Sequence, residues 1–435
     1  MAPTVKINNQ FLAHRVTGAG NTSYQPRDMK KYGCFFDSTE IRAKGNPNLN
    51  PGEDTRIELY LIGRYAKIYG AFIKIRLRND SASNQQLLNG LFFIKKLDYK
   101  DGSDQTFKTI TDQTNYIWTN LALSEDERNT LAPAFGQQMT APLQEFNDWS
   151  VENTFDGGYI LAPGEERSFY IPIQHPIIKG NFDIGCNRTA YKNSSVTITM
   201  GDNFATTTSA GGEPVATSME LVVMGIKHNM GSPLSDKALR GTTQKSIIYL
   251  PAFFSHPVTI SPGSQLEQIQ VPNATGVTPL ITYWVEIANN LSQENRYSSS
   301  INLAPQVPGD PDPRPWVPLE NTTVYNEETI VGHSNMEQDF IKYVLNSKAG
   351  NNRIFSEKNI YQACVDVDAV KTVSVGGNSP TITVKQGYLK FDMDIGDYVS
   401  ATGTDQAVLR VIIWQKATMQ LGPHGFKTVI YSANV

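Results

Sequence analysis

The chain has 435 residues, enough for two or three domains, and only 18% of them are charged, against about 25% in ordinary globular proteins. The net charge of −4 excludes a chain that binds nucleic acid through its overall charge, and no sequence-specific nucleic acid is expected. Three widely spaced cysteines exclude a disulfide framework. No signal peptide or run of about 20 apolar residues is present, so we expect a soluble chain that folds inside the cell.

The first 35 residues form a basic, Asn- and Gly-containing arm. Its net charge is +4, which leaves −8 for the rest of a chain whose total is −4. The charged residues of the arm are Lys6, Arg15, Arg27, Lys30 and Lys31 against Asp28. Such an arm predicts contact with an anionic interior or a membrane surface, and an ordinary polar terminus is the alternative.

One pattern occurs three times, at residues 49–61, 161–173 and 260–272. In each, a loop ends in Pro-Gly, polar residues follow, and an alternating apolar run begins. Pro fixes φ and Gly reaches positive φ, so the pair predicts a tight turn before a strand with one buried face. Two copies lie in the first half and one in the second. The sequence therefore predicts an all-β protein made of two tandem, similar sandwiches.

The first half continues with strands over residues 56–78 and a hairpin over 90–110 that turns near Asp101. Ser124 and Glu127 have the spacing of a capping box, which predicts a short helix that starts there. The Gly- and Pro-punctuated segment 233–245 then predicts a short linker.

In the second half, strand patterns and loops again follow one another, with strong strand patterns at residues 278–290 and 407–422. The segment 305–318 contains too many prolines for regular structure, and residues 335–350 predict a helix that Gly350 ends. We predict four regions: an arm over 1–35, a first sandwich over 36–232, the linker over 233–245 and a second sandwich over 246–435.

The chain lacks the sequence motifs of common catalytic and cofactor sites, so we predict no enzyme activity and no cofactor. Asp392, Asp394 and Asp397 alternate along one strand near a turn and are candidate calcium ligands. The alternative is that they face water while their apolar neighbours face the core. Glu327 and Glu328 precede the second predicted helix, where acidic residues favour the helix dipole, although a glycosidase pair would also use two carboxylates.

Two tryptophans, Trp284 and Trp414, lie within strong strand patterns and are predicted to be buried. Trp316 lies between prolines and is predicted to lie near a surface or an interface.

The order of these elements resembles a known family. Residues 219–254 look like the passage between two jelly rolls, residues 407–422 look like a closing strand, and residues 91–122 resemble a strand, tight turn and aromatic helix-loop. Together they are similar to the double jelly-roll major capsid proteins of tectivirus-type, membrane-containing icosahedral viruses, in the adenovirus-hexon lineage. The resemblance covers most of residues 36–435. It rests on the order of the predicted elements and on the kinds of residue in them, and on no invariant motif.

The resemblance implies an all-β fold of two tandem jelly rolls with inserted loops and short helices. It implies a structural protein of a virion, such as that of a bacteriophage. Such a protein trimerises into a pseudo-hexagonal capsomer and is assembled inside the host cell. The implied partners are the chain itself, neighbouring capsomers, minor capsid and vertex proteins, and an inner viral membrane reached by the arm. The interface candidates are Lys6, Arg15, Lys30, Lys31 and Trp316.

Two other functions stay open. A β-sandwich carbohydrate-binding protein or glycoside hydrolase would need exposed aromatic residues in a groove and usually a secretion signal. A viral spike or penton would usually carry fewer inserted loops.

Overall fold

The computed structural model describes sixteen segments of the chain, and all structural statements concern these segments. They are residues 34–42, 49–58, 65–100, 106–122, 131–136, 159–173, 195–205, 212–228, 244–259, 264–271, 275–287, 316–331, 360–363, 381–395, 406–422 and 425–431.

The first half contains eight main strands in two antiparallel sheets, which we call roll one. They are β1 (Cys34–Arg42), β2 (Asp54–Glu58), β3 (Tyr65–Arg78), β4 (Ile94–Lys100), β5 (Thr106–Thr111), β6 (Glu166–Pro172), β7 (Ser195–Met200) and β8 (Val215–His228). Sheet I has the order β1-β8-β3-β6, and sheet II has the order β2-β7-β4-β5.

The second half, which we call roll two, contains eight corresponding strands. They are β9 (Gln244–Thr259), β10 (Ser264–Gln270), β11 (Val277–Ile287), β12 (Asn321–Asn326), β13 (Thr329–Ile330), β14 (Tyr361–Gln362), β15 (Tyr388–Asp394) and β16 (Gln406–Gly422). Sheet III has the order β9-β16-β11-β14, and sheet IV has the order β10-β15-β12-β13.

The strand orders of the two rolls match position by position. In each roll the first, eighth, third and sixth strands form one sheet, and the second, seventh, fourth and fifth form the other. Eight antiparallel strands divided in this way between two packed sheets make a jelly roll. The prediction of two tandem, similar sandwiches is confirmed. The proposed region boundaries stay a prediction, since most of the linker over 233–245 lies outside the described residues.

Smaller elements complete the described segments. A helix, α1, spans Asp112–Ala122, and 3-10 turns span Gly90–Phe92, Ala132–Phe135 and Lys385–Gly387. Gln85–Gln86 pairs with Ile160–Leu161, Trp316–Val317 pairs with β11, and a last strand, β17 (Gly425–Tyr431), pairs with β16. In the described segments, no helix combines the length and the hydrophobicity that crossing a bilayer requires.

The helix of roll one begins twelve residues before the predicted capping box. Thr111 is its N-terminal cap, because its Oγ1 accepts a hydrogen bond from the Thr114 amide at 3.2 Å, and Asp112 adds a carboxylate in the first turn. This helix ends at Ala122, before the predicted capping box, and the helix predicted from Ser124 stays a prediction. Ser124 and Glu127 lie outside the described residues, as does the second predicted helix over 335–350.

Two of the three Pro-Gly loops form the predicted turns. Gly52 has φ of +76° and Gly164 has φ of +73°, and i to i+3 backbone hydrogen bonds close both turns, from Glu53 to Asn50 and from Glu165 to Ala162. Only glycine adopts this conformation without strain, which explains the residue at the third turn position. The third loop precedes β10 as predicted, and its Pro-Gly pair lies outside the described residues.

Candidate assembly surfaces

The two rolls meet along a buried apolar seam. Edge strand β5 of roll one contacts edge strand β9 of roll two. Trp284 and Trp414, on the outer face of sheet III, are 0% and 1% exposed and belong to the same apolar cluster as the core of roll one. Their predicted burial is confirmed, and the structure adds that they lie at the seam and not between the sheets of roll two. Because buried aromatic residues dominate interface energies, this seam fixes the two rolls to each other.

A cleft with both polar and apolar walls opens at one side of this seam. Its volume is about 420 Å³, with Phe92, Lys96 and Asp112 on the roll-one wall and Phe253 and Arg410 on the roll-two wall. These five are part of a larger lining that also includes neighbouring polar side chains of roll one.

Arg410 is the centre of a charged cluster on the outer face of sheet III. Its Nε lies 3.5 Å from a carboxylate oxygen of Glu286, which is 1% exposed, and its guanidinium donates to the Ser255 hydroxyl. The same guanidinium lies 5.8 Å from the centre of the Phe253 ring, within cation–π range. The cluster spans three strands of sheet III, because Ser255, Arg410 and Glu286 belong to β9, β16 and β11.

A second charged cluster lies on the outer face of sheet I. The Lys74 ammonium is 2.8 Å from Glu40 and 3.2 Å from Glu220. The side chains of Lys74 and Glu220 are 11% and 10% exposed, whereas Glu40 is 46% exposed. The hydrogen bond to Glu40, with a smaller contribution from Glu220, raises the pKa of Lys74. The cluster spans β3, β1 and β8, the same three strand positions as the Arg410 cluster in roll two.

The outer faces of sheets II and IV differ in polarity. On sheet II, charged and threonine side chains form the rows Asp54–Thr199–Lys96–Thr111 and Arg56–Thr197–Asp98–Thr109 across the strands. Sheet IV instead presents large apolar side chains to solvent: Leu266 is 57% exposed, Ile330 is 48% exposed and Tyr388 is 40% exposed. Isolated exposed apolar residues are normal, but three on one sheet face make it a candidate contact surface.

The candidate calcium ligands lie on sheet IV. Asp392 and Asp394 lie on the outer face of β15, where they alternate with the buried Phe391 and Met393. Asp397 lies outside the described residues. The segments that the structure describes contain no group of three His, Cys, Asp or Glu side chains placed to hold a metal. The alternation matches the solvent-facing alternative, and calcium binding stays a prediction.

The two candidate glycosidase carboxylates lie in a turn between two strands, and the helix that was predicted after them lies outside the described residues. Glu327 and Glu328 form the tight turn between β12 and β13, and Glu327 has φ of +60°. The ammonium of Lys385 lies 2.9 Å from Glu327 and lowers the pKa of its carboxyl group. A glycosidase general acid needs a raised pKa, so the environment of Glu327 does not suit that role.

The interface candidates are only partly placed by the structure. The backbone of Trp316 pairs with that of Glu286 at the edge of sheet III, next to the strand that carries the seam residue Trp284. Lys6, Arg15, Lys30 and Lys31 lie outside the described residues. The two charged clusters and the exposed apolar residues of sheet IV were not predicted, because no sequence pattern shows which outer faces meet another roll.

No protein-family model matches the sequence, and comparison with curated proteins gives no significant match. Comparison with solved structures gives similar folds at low sequence identity. The VP54 protein of PBCV-1, fitted into a reconstruction of the virophage Sputnik, is 12% identical with a TM-score of 0.64, covering 95% of this chain and 99% of VP54.

Two further solved structures are similar over nearly the whole chain. The Faustovirus major capsid protein is 9% identical with a TM-score of 0.60, covering 95% of this chain and 92% of that protein. A chain of the Sputnik virophage is 10% identical with a TM-score of 0.53, covering 92% and 89%. The likeness spans both rolls of this chain in each case. The chain therefore has the double jelly-roll fold found in these viral capsid structures.

Proposed function

We propose that the chain is the major capsid protein of an icosahedral virus and forms a trimeric, pseudo-hexagonal capsomer. The observation that carries this proposal is the repeated strand order of two rolls fixed to each other by a buried seam. Three such chains supply six similar blocks, and contacts between unlike surfaces close into a ring when the rotations between successive blocks add up to one full turn. Six-sided units of this kind can tile a shell.

The proposed location is the virion capsid, and the proposed partners are neighbouring capsomers together with minor capsid and vertex proteins. The basic arm over residues 1–35 supports a contact with an inner viral membrane or with a neighbouring subunit, through Lys6, Arg15, Lys30 and Lys31. Trp316, at the edge of sheet III, is a further proposed contact.

We infer a structural and not an enzymatic role. The similar solved structures are capsid proteins. A lectin or glycosidase would need exposed stacking aromatics or a protonated acid, whereas Trp284 and Trp414 are buried at the seam and the pKa of Glu327 is lowered.

The proposal is tested by the solution mass of the purified full-length chain, measured by light scattering over a range of concentrations. We expect a particle of about 145 kDa, three times the chain mass of 48.2 kDa. A monomer that persists at the highest concentration would contradict the capsomer proposal and would favour a glycan-array search for a carbohydrate ligand.

A further inference from the structure

The cleft between the two rolls has the size of a small-molecule site. Its volume of about 420 Å³ lies within the range of roughly 300–1,000 Å³ that is usual for ligand pockets. Its walls come from both rolls, because Phe92 and Gln113 belong to roll one and Phe253 and Arg410 belong to roll two. A molecule bound in this cleft would therefore contact both rolls of the chain.

Two phenylalanine rings form the apolar parts of the walls. Phe92 ends a 3-10 turn of roll one, and its ring stacks on that of Tyr116 with the ring centres 5.0 Å apart. Phe253 of β9 packs against the apolar cluster of the seam, with its ring centre 6.3 Å from that of Trp284. Because other aromatic residues hold both rings in place, the walls suit the flat apolar body of a ligand.

Arg410 brings unused hydrogen-bond donors to the cleft. Its Nη1 donates to the Ser255 hydroxyl, and its Nε lies 3.5 Å from a carboxylate oxygen of Glu286. The Nη2 group carries two of the five N–H donors of an arginine, and it has no acceptor within the described segments. The buried carboxylate of Glu286 holds the guanidinium in position. The planar guanidinium can then donate two parallel hydrogen bonds to the carboxylate of a ligand.

The roll-one wall supplies further donors. The side-chain amides of Gln113 and Asn203 line the cleft, and neither has a hydrogen-bond partner in the part of the chain that the structure describes. Lys96 adds a positive charge to the same wall, and its ammonium pairs with Asp98 at 2.8 Å. Amide and ammonium donors of this kind suit an anionic group in the cleft.

Two carboxylates also line the cleft, and each has a partner. Asp202 accepts two hydrogen bonds from the ammonium of Lys95, at 2.8 and 2.9 Å, and Oδ1 of Asp112 accepts the Gln113 amide at 2.7 Å. The lining contains three cationic and two acidic side chains, so its net charge is +1 (3 − 2). The charge of the lining and its unpaired donors thus favour an anionic ligand over a cationic one.

We propose that this cleft binds a small aromatic carboxylate, whose carboxylate accepts hydrogen bonds from Arg410 and whose ring lies against Phe92 and Phe253. The Gln113 amide and the charge of Lys96 complete the polar side of the site. All of these residues belong to one chain, so the inference goes beyond the capsomer proposal and does not depend on it. A ligand held by both walls binds the folded chain and stabilises the docked arrangement of the rolls.

Fluorine NMR of the full-length chain tests the site, with para-fluorobenzoate as the probe and para-fluorobenzamide as an uncharged analogue of similar shape. Arg410→Lys keeps a positive charge beside Glu286 and removes the planar set of donors. Gln113→Glu places a negative charge in the cleft, and the first turn of α1 favours an acidic residue there. Gln268→Glu makes the same change at an exposed position of sheet IV and is the control. Thermal unfolding of each variant checks that the fold is retained.

We expect the parent chain to bind para-fluorobenzoate saturably and about tenfold or more tightly than para-fluorobenzamide, because only the carboxylate pairs with Arg410. Arg410→Lys and Gln113→Glu should each weaken that binding by about tenfold or more, whereas Gln268→Glu should leave it unchanged. Absence of saturable binding to the parent chain would overturn the inference. Equal binding of the two probes, binding that both cleft variants retain with their fold intact, or equal weakening by Gln268→Glu would also overturn it.

Inorganic phosphate, added as a competitor, separates an aromatic carboxylate site from a general anion site. It carries the charge and lacks the ring, so we expect it to displace para-fluorobenzoate about tenfold less effectively than unlabelled benzoate does. Equal displacement by phosphate and benzoate would show that Phe92 and Phe253 do not take part in binding, and it would overturn the assignment to an aromatic carboxylate.

Discussion

Replacing Trp414 with alanine is expected to destabilise the chain by about 3–5 kcal/mol and to uncouple the unfolding of the two rolls. Trp414 is 1% exposed and belongs to the apolar cluster that includes both the core of roll one and the outer face of sheet III. Truncation removes the indole and leaves a cavity between two rigid sheets that cannot close over it. Calorimetry should show one main transition for the parent chain and two for the variant.

Two further variants distinguish a loss of contact between the rolls from the general effect of a cavity in an apolar core. Trp414→Phe keeps an aromatic ring in the seam and should retain a single transition. Phe391→Ala is the control variant that creates a cavity away from the seam. Phe391 is 0% exposed and packs between the sheets of roll two, in a different apolar cluster. We expect that cavity to lower the unfolding temperature without splitting the transition. If Trp414→Ala lowers the free energy of unfolding by less than about 1 kcal/mol and keeps one transition, the coupled unfolding of the two rolls does not depend on this seam.

Replacing Lys108 with methionine is expected to stabilise the chain by about 2–4 kcal/mol near pH 7.5. Lys108 lies on β5, opposite the fully buried Tyr99 of β4, and only 6% of it is exposed. Burial lowers the pKa of its ammonium from the ordinary 10.5 to about 7. Methionine is unbranched and one atom shorter than lysine, and it removes the ammonium group, which in the folded chain must lose either its proton or its hydration.

The same shift predicts how stability depends on pH. Between about pH 7 and pH 10.5 the unfolded chain binds a proton at Lys108 that the folded chain does not bind. The free energy of unfolding contributed by this group therefore rises with pH across that window and falls as the pH is lowered toward 7, by up to about 1.4 kcal/mol per pH unit.

Denaturant unfolding at pH 7.5, 8.5 and 9.5 measures this dependence, and the Lys108→Met variant should show a smaller slope than the parent. Lys95→Met is the control. Lys95 also lies on sheet II, but it is 52% exposed and pairs with Asp202 at 2.8 Å, so we expect a change within about 1 kcal/mol and an unaltered slope. Equal slopes for the parent and Lys108→Met would mean that Lys108 stays charged in the folded chain.

The sequence predicts the sheets well where local chemistry decides them. The Pro-Gly loops at Gly52 and Gly164 form the expected turns, because positive φ at that position is a local requirement. The hairpin of β4 and β5 follows from its alternating pattern, and Leu389, Phe391 and Met393 of β15 are buried as their alternation predicts. Such features depend on residues a few positions apart.

Features that depend on distant parts of the chain are not visible in the sequence. The pattern around Trp284 and Trp414 predicts burial, but it does not distinguish the core of roll two from a seam with roll one. The capping pattern of Ser124 and Glu127 does not locate α1, which Thr111 and Asp112 cap, and the helix predicted from Ser124 lies outside the described residues. The burial of Lys108 depends on its place in sheet II opposite Tyr99 of β4, and the sequence around Lys108 does not show this position.

Cryo-electron microscopy of the purified full-length protein tests whether two equivalent rolls per chain build a six-sided unit. We expect class averages of a three-fold particle with six similar lobes around one axis, in which each lobe fits one jelly roll. Particles containing two lobes, or an assembly in which the rolls of different chains meet through like surfaces, would contradict it.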